Sequence, residues 1–208
     1  EEDMSVCTEE GVDAIFAPSI GEMYQPGFGT FITQSHYPDL LCGKYRPGHF
    51  KGVMTVVIKL YNAVLPHRVY YGQKDYQQYF ILKKMAEDLN IGIETILCPT
   101  IREPDGLAVS SRNEYLTPRQ RRQAALIYKA LCRAKENIEK GVFDSLTLIA
   151  DIKKFLRKIP RARIDYVAIV NPNTLQDMIQ IKGTAMIAVA VRIGETRLID
   201  NIFVTRKG

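Results

Sequence analysis

Residues 68–98, RVYYGQKDYQQYFILKKMAEDLNIGIETILC, contain the pattern that decides the fold. Residues 68–71 and 93–98 are short apolar runs typical of strands, and they flank a helix predicted over residues 76–89. One face of that helix carries Leu82, Met85 and Leu89. A strand, a helix and a strand of this length form a βαβ unit. We therefore expect two parallel strands joined by a right-handed crossover.

Two further elements precede this unit. Residues 12–17 (VDAIFA) are an apolar run that predicts a buried strand, ended by Pro18. Residues 53–65 repeat apolar side chains with the 3.6-residue period of an amphipathic helix, which ends at Pro66. We therefore expect residues 1–100 to form an α/β domain with a parallel sheet.

The second half of the chain has a different pattern. Thr117 is followed directly by Pro118, and Gln120 stands three residues after the threonine. This spacing predicts a capped helix after a polar loop at residues 100–116. Asp144 predicts the start of a second helix. Three strand-like runs come last, at residues 164–170, 185–193 and 196–204. We expect residues 101–208 to form a small α+β domain, with the boundary near residue 100.

The composition is that of an ordinary folded protein. Of the 208 residues, 46% are hydrophobic, and 28 basic and 23 acidic side chains give a net charge of +5. These fractions exclude intrinsically disordered and low-complexity fibrous classes. No run of about 18 apolar residues occurs, so we expect no membrane span, and the acidic first residues do not resemble a signal peptide. The mild positive charge fits an anionic small substrate as well as a nucleic acid.

The spacing of cysteines and histidines argues against a metal site built from side chains. The cysteines contain no CxxC pair and the histidines have no metal-like spacing; these residues are Cys7, Cys42, Cys98, Cys132, His36, His49 and His67. We expect reduced thiols in a cytosolic protein.

The first candidate site is Gly72-Gln73-Lys74-Asp75, between the first predicted strand of the unit and its helix. Open α/β sheets bind ligands at this edge, where backbone N–H groups and the helix dipole favour anions. Lys74 adds a mobile positive charge suited to phosphate. The alternative is purely local, because Asp75 as N-cap and Gln78 three residues later would form a capping box.

The second candidate site is the loop Val109-Ser110-Ser111-Arg112-Asn113. Two hydroxyls beside a guanidinium, on a loop between two domains, can surround phosphate oxygens. The alternative is a solvated polar loop with no ligand.

The third candidate site is residues 46–52, RPGHFKG, which place two cations and a histidine just before a helix. Gly43 and Gly48 have the glycine spacing of a phosphate-binding P-loop. His49 and Phe50 stand where that motif needs lysine and serine or threonine, so a P-loop is excluded. The alternative to an anion site is a basic turn that leads into the helix.

The long helix after Thr117 is rich in basic residues, which could form a nucleic-acid footprint. They are Arg119, Arg121, Arg122, Lys129, Arg133 and Lys135. Only Tyr128 supplies an aromatic ring among them, so a solvated helix face is the better explanation of the pattern. A nucleic-acid site would bind with a steep dependence on salt concentration.

Together, these segments resemble the pantothenate synthetase family over essentially the whole chain. The resemblance rests on FAPS (16–19), RPGHFKGV (46–53), YGQKDYQQ (71–78), DGLAVSSRNEYLT (105–117) and RLIDN (197–201). It implies an N-terminally incomplete, Rossmann-like nucleotidylyltransferase domain followed by a small α+β domain that acts as a lid. It also implies a cytoplasmic homodimer without a nucleic-acid or membrane partner.

The implied activity is the ATP-dependent condensation of (R)-pantoate with β-alanine, through a pantoyl-adenylate intermediate and with Mg²⁺. By this resemblance, ATP is bound by Gly72, Gln73, Lys74, Asp75, Ile101, Val109, Ser110, Ser111 and Arg112. The catalytic residues among them are Lys74, Ser110, Ser111 and Arg112. Gln78 is expected to bind pantoate, and Arg46 and His49 to line the same cleft. Another nucleotidylyltransferase activity, or a basic nucleic-acid-binding module, is the alternative.

The sequence departs from the family pattern in two ways. Gln73 stands where the family usually has glutamate. The family's HxGH-type motif, whose histidines serve adenylation, has no counterpart in residues 1–208, because no histidine stands three residues from another. We expect this polypeptide by itself to have little or no activity, and the intact mass of the native protein to tell whether a further segment supplies the motif.

Overall fold

The computed structural model describes residues 2–206. The helices in this range are α1 (Glu2–Glu9), α2 (Ile20–Met23), α3 (His49–Val64), α4 (Tyr76–Asp88), α5 (Pro118–Glu139) and α6 (Ser145–Leu156). The strands are β1 (Arg68–Gly72), β2 (Glu94–Cys98), β3 (Ala162–Val170), β4 (Thr184–Ile193) and β5 (Thr196–Thr205). None of the helices described combines the length and apolarity that crossing a membrane requires.

The predicted strand–helix–strand unit is confirmed. β1 and β2 pair in parallel, with Arg68 opposite Glu94 and Gly72 opposite Cys98, and α4 connects them. The helical period places the large apolar side chains of α4 on one side, where they pack against α3. The buried side chains of this layer include Phe50, Met54, Ile81, Leu82 and Met85. Each contributes roughly 1.5–3 kcal/mol, so the layer holds the carboxyl end of β1 firmly in place.

The prediction of a strand over residues 12–17 is wrong. This segment is irregular, and all six of its side chains are exposed. An apolar run becomes a strand only where a neighbouring strand can satisfy its backbone N–H and C=O groups. Among the described residues, β1 and β2 pair only with each other, so the segment has no ladder to join.

The helices and strands predicted for the second half are confirmed. β3, β4 and β5 form an antiparallel sheet in that order, and the apolar stripes of α5 and α6 pack on it. Thr117 and Gln120 form the expected capping box at the start of α5, and the Asp144 carboxylate caps α6 by accepting from the Thr147 N–H at 2.7 Å. Gly141 ends α5 with a φ of 93°, a conformation that glycine adopts without strain.

The parallel unit and the antiparallel sheet pack directly against each other. A shared apolar cluster joins Leu41 and Tyr76 from the first half to residues of β3 and β4, namely Ala168, Val170, Met186 and Ala188. The Tyr76 hydroxyl donates a hydrogen bond to the Pro172 carbonyl at 3.1 Å. This contact leaves a cleft beside the carboxyl end of β1.

A buried glutamine fixes the segment that leads into this cleft. The Gln77 side chain on α4 accepts from the Cys42 N–H at 2.9 Å and donates to the Tyr37 and Leu40 carbonyls at 3.1 and 2.7 Å. These bonds satisfy backbone groups of a segment that forms no sheet. They hold the 3-10 turn Leu41–Tyr45 against α4, and Arg46 follows directly.

We predict that Gln77→Leu lowers the free energy of unfolding by about 2–3 kcal/mol, because three backbone groups lose a buried partner. Urea unfolding of the native protein followed by circular dichroism measures the change. Gln123→Leu, at a half-buried position on α5, is the matched control and should change stability much less. An equal loss in both variants would contradict the role of Gln77.

Candidate functional site

A cleft between the two halves of the molecule brings the candidate motifs together. Its cavity has a volume of about 370 Å³. The polar residues on its walls include Arg46, His49, Lys74, Asp75, Gln78, Arg112, Arg192, Arg197, Asp200 and Asn201. All three predicted anion-binding segments therefore contribute side chains to one cavity.

Lys74 lies at the carboxyl end of the parallel sheet, in the 3-10 turn Gln73–Asp75 that joins β1 to α4. Its ammonium donates to the Val109 carbonyl at 3.2 Å, so it touches the second candidate loop. Burial lowers the pKa of Lys74, and the nearby Arg112 guanidinium lowers it further, against the opposing effect of Asp75 and Asp200. A partly dehydrated ammonium of this kind gains more from a phosphate than a fully hydrated one does.

The capping box considered for Asp75 and Gln78 is not formed. Asp75 occupies the N-cap position of α4, but its side chain makes no capping hydrogen bond. Its backbone lies at φ −98° and ψ 43°, outside the extended region in which an N-cap side chain reaches the first helical N–H groups. Local capping therefore does not account for this motif.

The second motif occupies a tightly folded loop. The Val109 N–H donates to the Ile101 carbonyl at 3.0 Å, which places the exposed side chains of these two residues on the same stretch of surface. The Ser110 hydroxyl accepts from the Arg112 N–H at 3.3 Å and begins the 3-10 turn Ser111–Tyr115. Ser111 and Arg112 are exposed, and Arg112 lines the cavity.

The third motif supplies a second pair of basic groups. Arg46 Nη1 lies 2.8 Å from His49 Nε2. A guanidinium only donates, so Nε2 accepts and the neutral ring carries its proton on Nδ1. Burial lowers the pKa of His49, and the cations of Arg46, Arg112 and Arg197 lower it further. Burial also lowers the pKa of Arg46, and the cations of Arg112 and Arg197 lower it further.

The far wall of the cavity lies on the antiparallel sheet and includes Arg197, Asp200 and Asn201 from RLIDN (197–201), none of which is among the predicted site residues. Arg197 Nε donates to an Asp165 carboxylate oxygen at 2.6 Å, and Arg192 lies 3.4 Å from the other oxygen. The two Nη atoms of Arg197 also lie 3.7 Å from Cys42 Sγ.

A signal for this wall exists in the sequence. Counting outward from the turn at Gly194 and Glu195 pairs Arg192 with Arg197, and cross-strand partners share a face of the hairpin.

The predicted basic face of α5 is not part of the cavity. Arg121 forms an ion pair with Asp105 at 2.7 Å, and Arg133 forms one with Asp151 at 3.0 Å. Ion pairs of this kind reduce the positive charge available to a phosphate backbone. A nucleic-acid interface on this helix is therefore not favoured.

Comparisons with known proteins agree on one family. The sequence profile of Pantoate-beta-alanine ligase matches residues 1–203. A pantothenate synthetase from Acetivibrio thermocellus is 48% identical over 204 residues, which are 98% of this chain and 73% of that protein. The crystal structure of pantothenate synthetase from Thermus thermophilus matches with a TM-score of 0.92 at 42% identity, covering 97% of this chain and 73% of that one.

A second solved structure carries ligands. It is pantoate-beta-alanine ligase from Francisella tularensis complexed with beta-gamma ATP and β-alanine. It matches with a TM-score of 0.75 at 32% identity, covering 97% of this chain and 68% of that one.

The fold is that of a Rossmann-like nucleotidylyltransferase with an added C-terminal domain, as the sequence resemblance predicted. Its cleft is lined by cations at the edge where such sheets bind nucleotides. The chain belongs to the pantoate-beta-alanine ligase family. Its activity is the ATP-dependent ligation of pantoate to β-alanine, and the alternative activities are not favoured.

We predict that the pKa of His49, measured by NMR titration of the ring, lies below the ordinary value of 6.5. Removing the adjacent charge with Arg46→Gln should raise this pKa, whereas Arg68→Gln, at an exposed ion pair with Glu94, should leave it unchanged. A value that stays the same or falls in Arg46→Gln would contradict the electrostatic explanation.

The same shift affects stability. A lowered folded-state pKa means that the unfolded chain takes up the proton first as the pH falls. The contribution of His49 to the free energy of unfolding is therefore complete above about pH 6.5 and is lost as the pH falls towards the folded-state pKa.

Proposed function

We propose that the cleft binds ATP, pantoate and β-alanine and carries out the reaction in two steps. A pantoate carboxylate oxygen attacks the α-phosphorus of ATP, a new O–P bond forms, and the bond to the leaving pyrophosphate breaks. The amine of β-alanine then attacks the carbonyl carbon of pantoyl adenylate, loses a proton and expels AMP. The observation that carries this proposal is a single cavity with Lys74 and Gln78 on one wall and Arg112 on another.

The proposed catalytic residues are Lys74, Ser110, Ser111 and Arg112, acting on the phosphates of ATP. Negative charge grows on pyrophosphate as it leaves, so cations that are already in place stabilise the transition state more than the ground state. The lowered pKa of Lys74 supports this assignment, because an anion restores the stabilisation that burial removed from its ammonium. Gly72, Gln73 and Asp75 complete the turn on this side of the nucleotide.

The other parts of the substrates are assigned to surfaces next to the phosphate site. Adenine is assigned to the exposed patch of Ile101 and Val109, next to the phosphate site. Gln78 lies one helical turn after Lys74, so its amide can bind pantoate close to the α-phosphate. Holding the two reactants in line contributes several kcal/mol to lowering the barrier.

Arg46 and His49 are assigned to the same anionic ligands. His49 acts as a neutral hydrogen-bonding group rather than as a cation, because its Nε2 already accepts from Arg46. This arrangement leaves Nδ1–H as the donor of the ring.

Mg²⁺ is proposed to enter with ATP. Within residues 2–206, no group of three or more His, Cys, Asp or Glu side chains could hold a metal ion, and the Asp200 carboxylate is paired with Arg102. Mg²⁺ is usually held by substrate phosphates and water together with one or two carboxylates, which fits this donor set. Asp75 is the carboxylate on the cavity wall that would contact the ion or its water. When bound, Mg²⁺ neutralises phosphate charge.

We further propose that residues 1–100 and 101–208 are separate domains and that the second acts as a lid. Two apolar cores support this division, because the buried members of one lie in residues 42–86 and those of the other in residues 107–204. Closure would exclude the water that hydrolyses an acyl adenylate. The assignment of a cytoplasmic homodimer follows from the family resemblance, and the four free thiols suit a reducing compartment.

We predict that Lys74→Ala lowers the rate of pantoate-dependent pyrophosphate release by about 10²–10³-fold, because one cation at the leaving group is lost. The assay is made on the native protein, and calorimetry measures ATP binding in parallel. Lys84→Ala, which removes an ammonium paired with Asp88 on the outer face of α4, is the matched control. Turnover within threefold of the unsubstituted protein would remove Lys74 from the phosphate site.

We predict that sedimentation equilibrium of the native protein gives twice the mass of one chain at micromolar concentration. A mass that corresponds to one chain over the whole concentration range would contradict the homodimer.

A further inference from the structure

Asn201 on β5 is a buried residue that contacts the phosphate-binding turn from the other half of the molecule. Its amide Nδ2 donates to the Gln73 carbonyl at 2.8 Å and to the Lys74 carbonyl at 3.0 Å. Its Oδ1 accepts from the Gln73 side chain at 3.3 Å. Both amide protons are therefore used by the backbone of the turn, so they are not free to bind a substrate.

The preceding residue, Asp200, fixes a segment on the opposite side of the cavity. Asp200 is 4% exposed and receives both Nη atoms of Arg102, at 2.7 and 2.9 Å. Arg102 also donates to the Gly106 carbonyl at 3.0 Å and stacks 3.8 Å above the Tyr128 ring. The Asp200 carboxylate also accepts from the Asn201 N–H at 2.8 Å, which links the two sets of contacts.

Two consecutive residues of one strand thus fix two separate segments of the ATP site. Asn201 holds the turn that carries Lys74, and Asp200 holds, through Arg102, the loop that leads to Ser110, Ser111 and Arg112. Arg102 and Gly106 precede that loop directly, and an isolated β-bridge pairs Arg102 with Ala108.

We propose that Asn201 is a positioning residue for the adenylation step. Its amide fixes the position and orientation of the Gln73–Lys74 backbone, so that the Lys74 ammonium faces Arg112 across the cavity. The Asp200–Arg102 pair holds the loop of Ser110–Arg112 to the same strand. Contacts with β5 therefore position both groups of phosphate-binding residues. This inference rests on the proposed role of Lys74 and goes beyond it, since Asn201 acts through Lys74 rather than on the substrate.

The physical reason is that group transfer depends on alignment. A misplacement of about 1 Å in a catalytic group lowers a rate by about 10²-fold. Without the Asn201 amide, two carbonyls of the turn lose their donor, and the turn is free to shift towards another one. Aminolysis of a preformed adenylate does not need pyrophosphate to leave, so it should depend much less on Lys74.

The test separates the two half-reactions in the same preparation of the native protein. For Asn201→Ala, we expect pantoate-dependent ATP–pyrophosphate exchange to fall by roughly 30–100-fold in kcat. Conversion of supplied pantoyl adenylate and β-alanine to pantothenate should stay within threefold. A purely structural role would lower both activities equally, since it would only reduce the fraction of folded enzyme.

Asn137→Ala is the matched control, because Asn137 also donates its amide, to Asp151 at 3.1 Å, but lies between α5 and α6 and away from the cavity. It should leave both half-reactions unchanged. If Asn201→Ala does not fold, Asn201→Asp keeps the shape and replaces the donor with an acceptor, and the same selective loss is expected.

Two results would overturn the inference. One is an equal fall in both half-reactions, and the other is exchange by Asn201→Ala within twofold of the unsubstituted protein. Lys74→Ala in the same assay distinguishes these from a failure of the proposed function. If Lys74→Ala abolishes exchange while Asn201→Ala does not, the function stands and the positioning role of Asn201 is wrong. If Lys74→Ala leaves exchange intact, the proposed phosphate site itself is wrong.

Discussion

The parallel pairing of β1 with β2 is the constraint on which the cleft depends. Parallel strands end at the same edge of a sheet, and Gly72 lies opposite Cys98. The turn that carries Lys74 and the loop that starts at Pro99 therefore leave the sheet side by side. Every later contact between these segments, including that of Lys74 with Val109, relies on this shared exit.

The cleft concentrates positive charge before any ligand arrives. The pKa values of Lys74 and Arg46 are both lowered, in each case first by burial. Lowered values for basic groups mean that the charged forms are held in an environment that disfavours them. A polyanion relieves this disfavoured state on binding, so part of the selectivity for a triphosphate is built into the ligand-free fold.

The sequence predicts the local elements of this molecule well, because periodicity, caps and turns act over a few residues. Gln120 and Asp144 illustrate this, since each forms the cap that its spacing predicts. The same patterns fail where tertiary structure decides. Residues 12–17 have the composition of a strand without a described partner, and nothing in the segment RLIDN (197–201) shows which residues Asn201 contacts. The contact of Asn201 with Lys74 joins positions 127 residues apart, a relationship that no short motif encodes.

With Lys74 in the phosphate-binding role proposed above, its hydrogen bond to the Val109 carbonyl has a thermodynamic consequence for the nucleotide. A phosphate oxygen that takes up the ammonium replaces an acceptor that is already present, so binding exchanges one bond for another rather than adding one. The affinity for ATP is then smaller than the contacts with the nucleotide alone would give. The same exchange frees the Val109 carbonyl and removes one contact between the loop of Ser110–Arg112 and the turn Gln73–Asp75. Occupancy of the phosphate site and the freedom of that loop to move are therefore linked quantities.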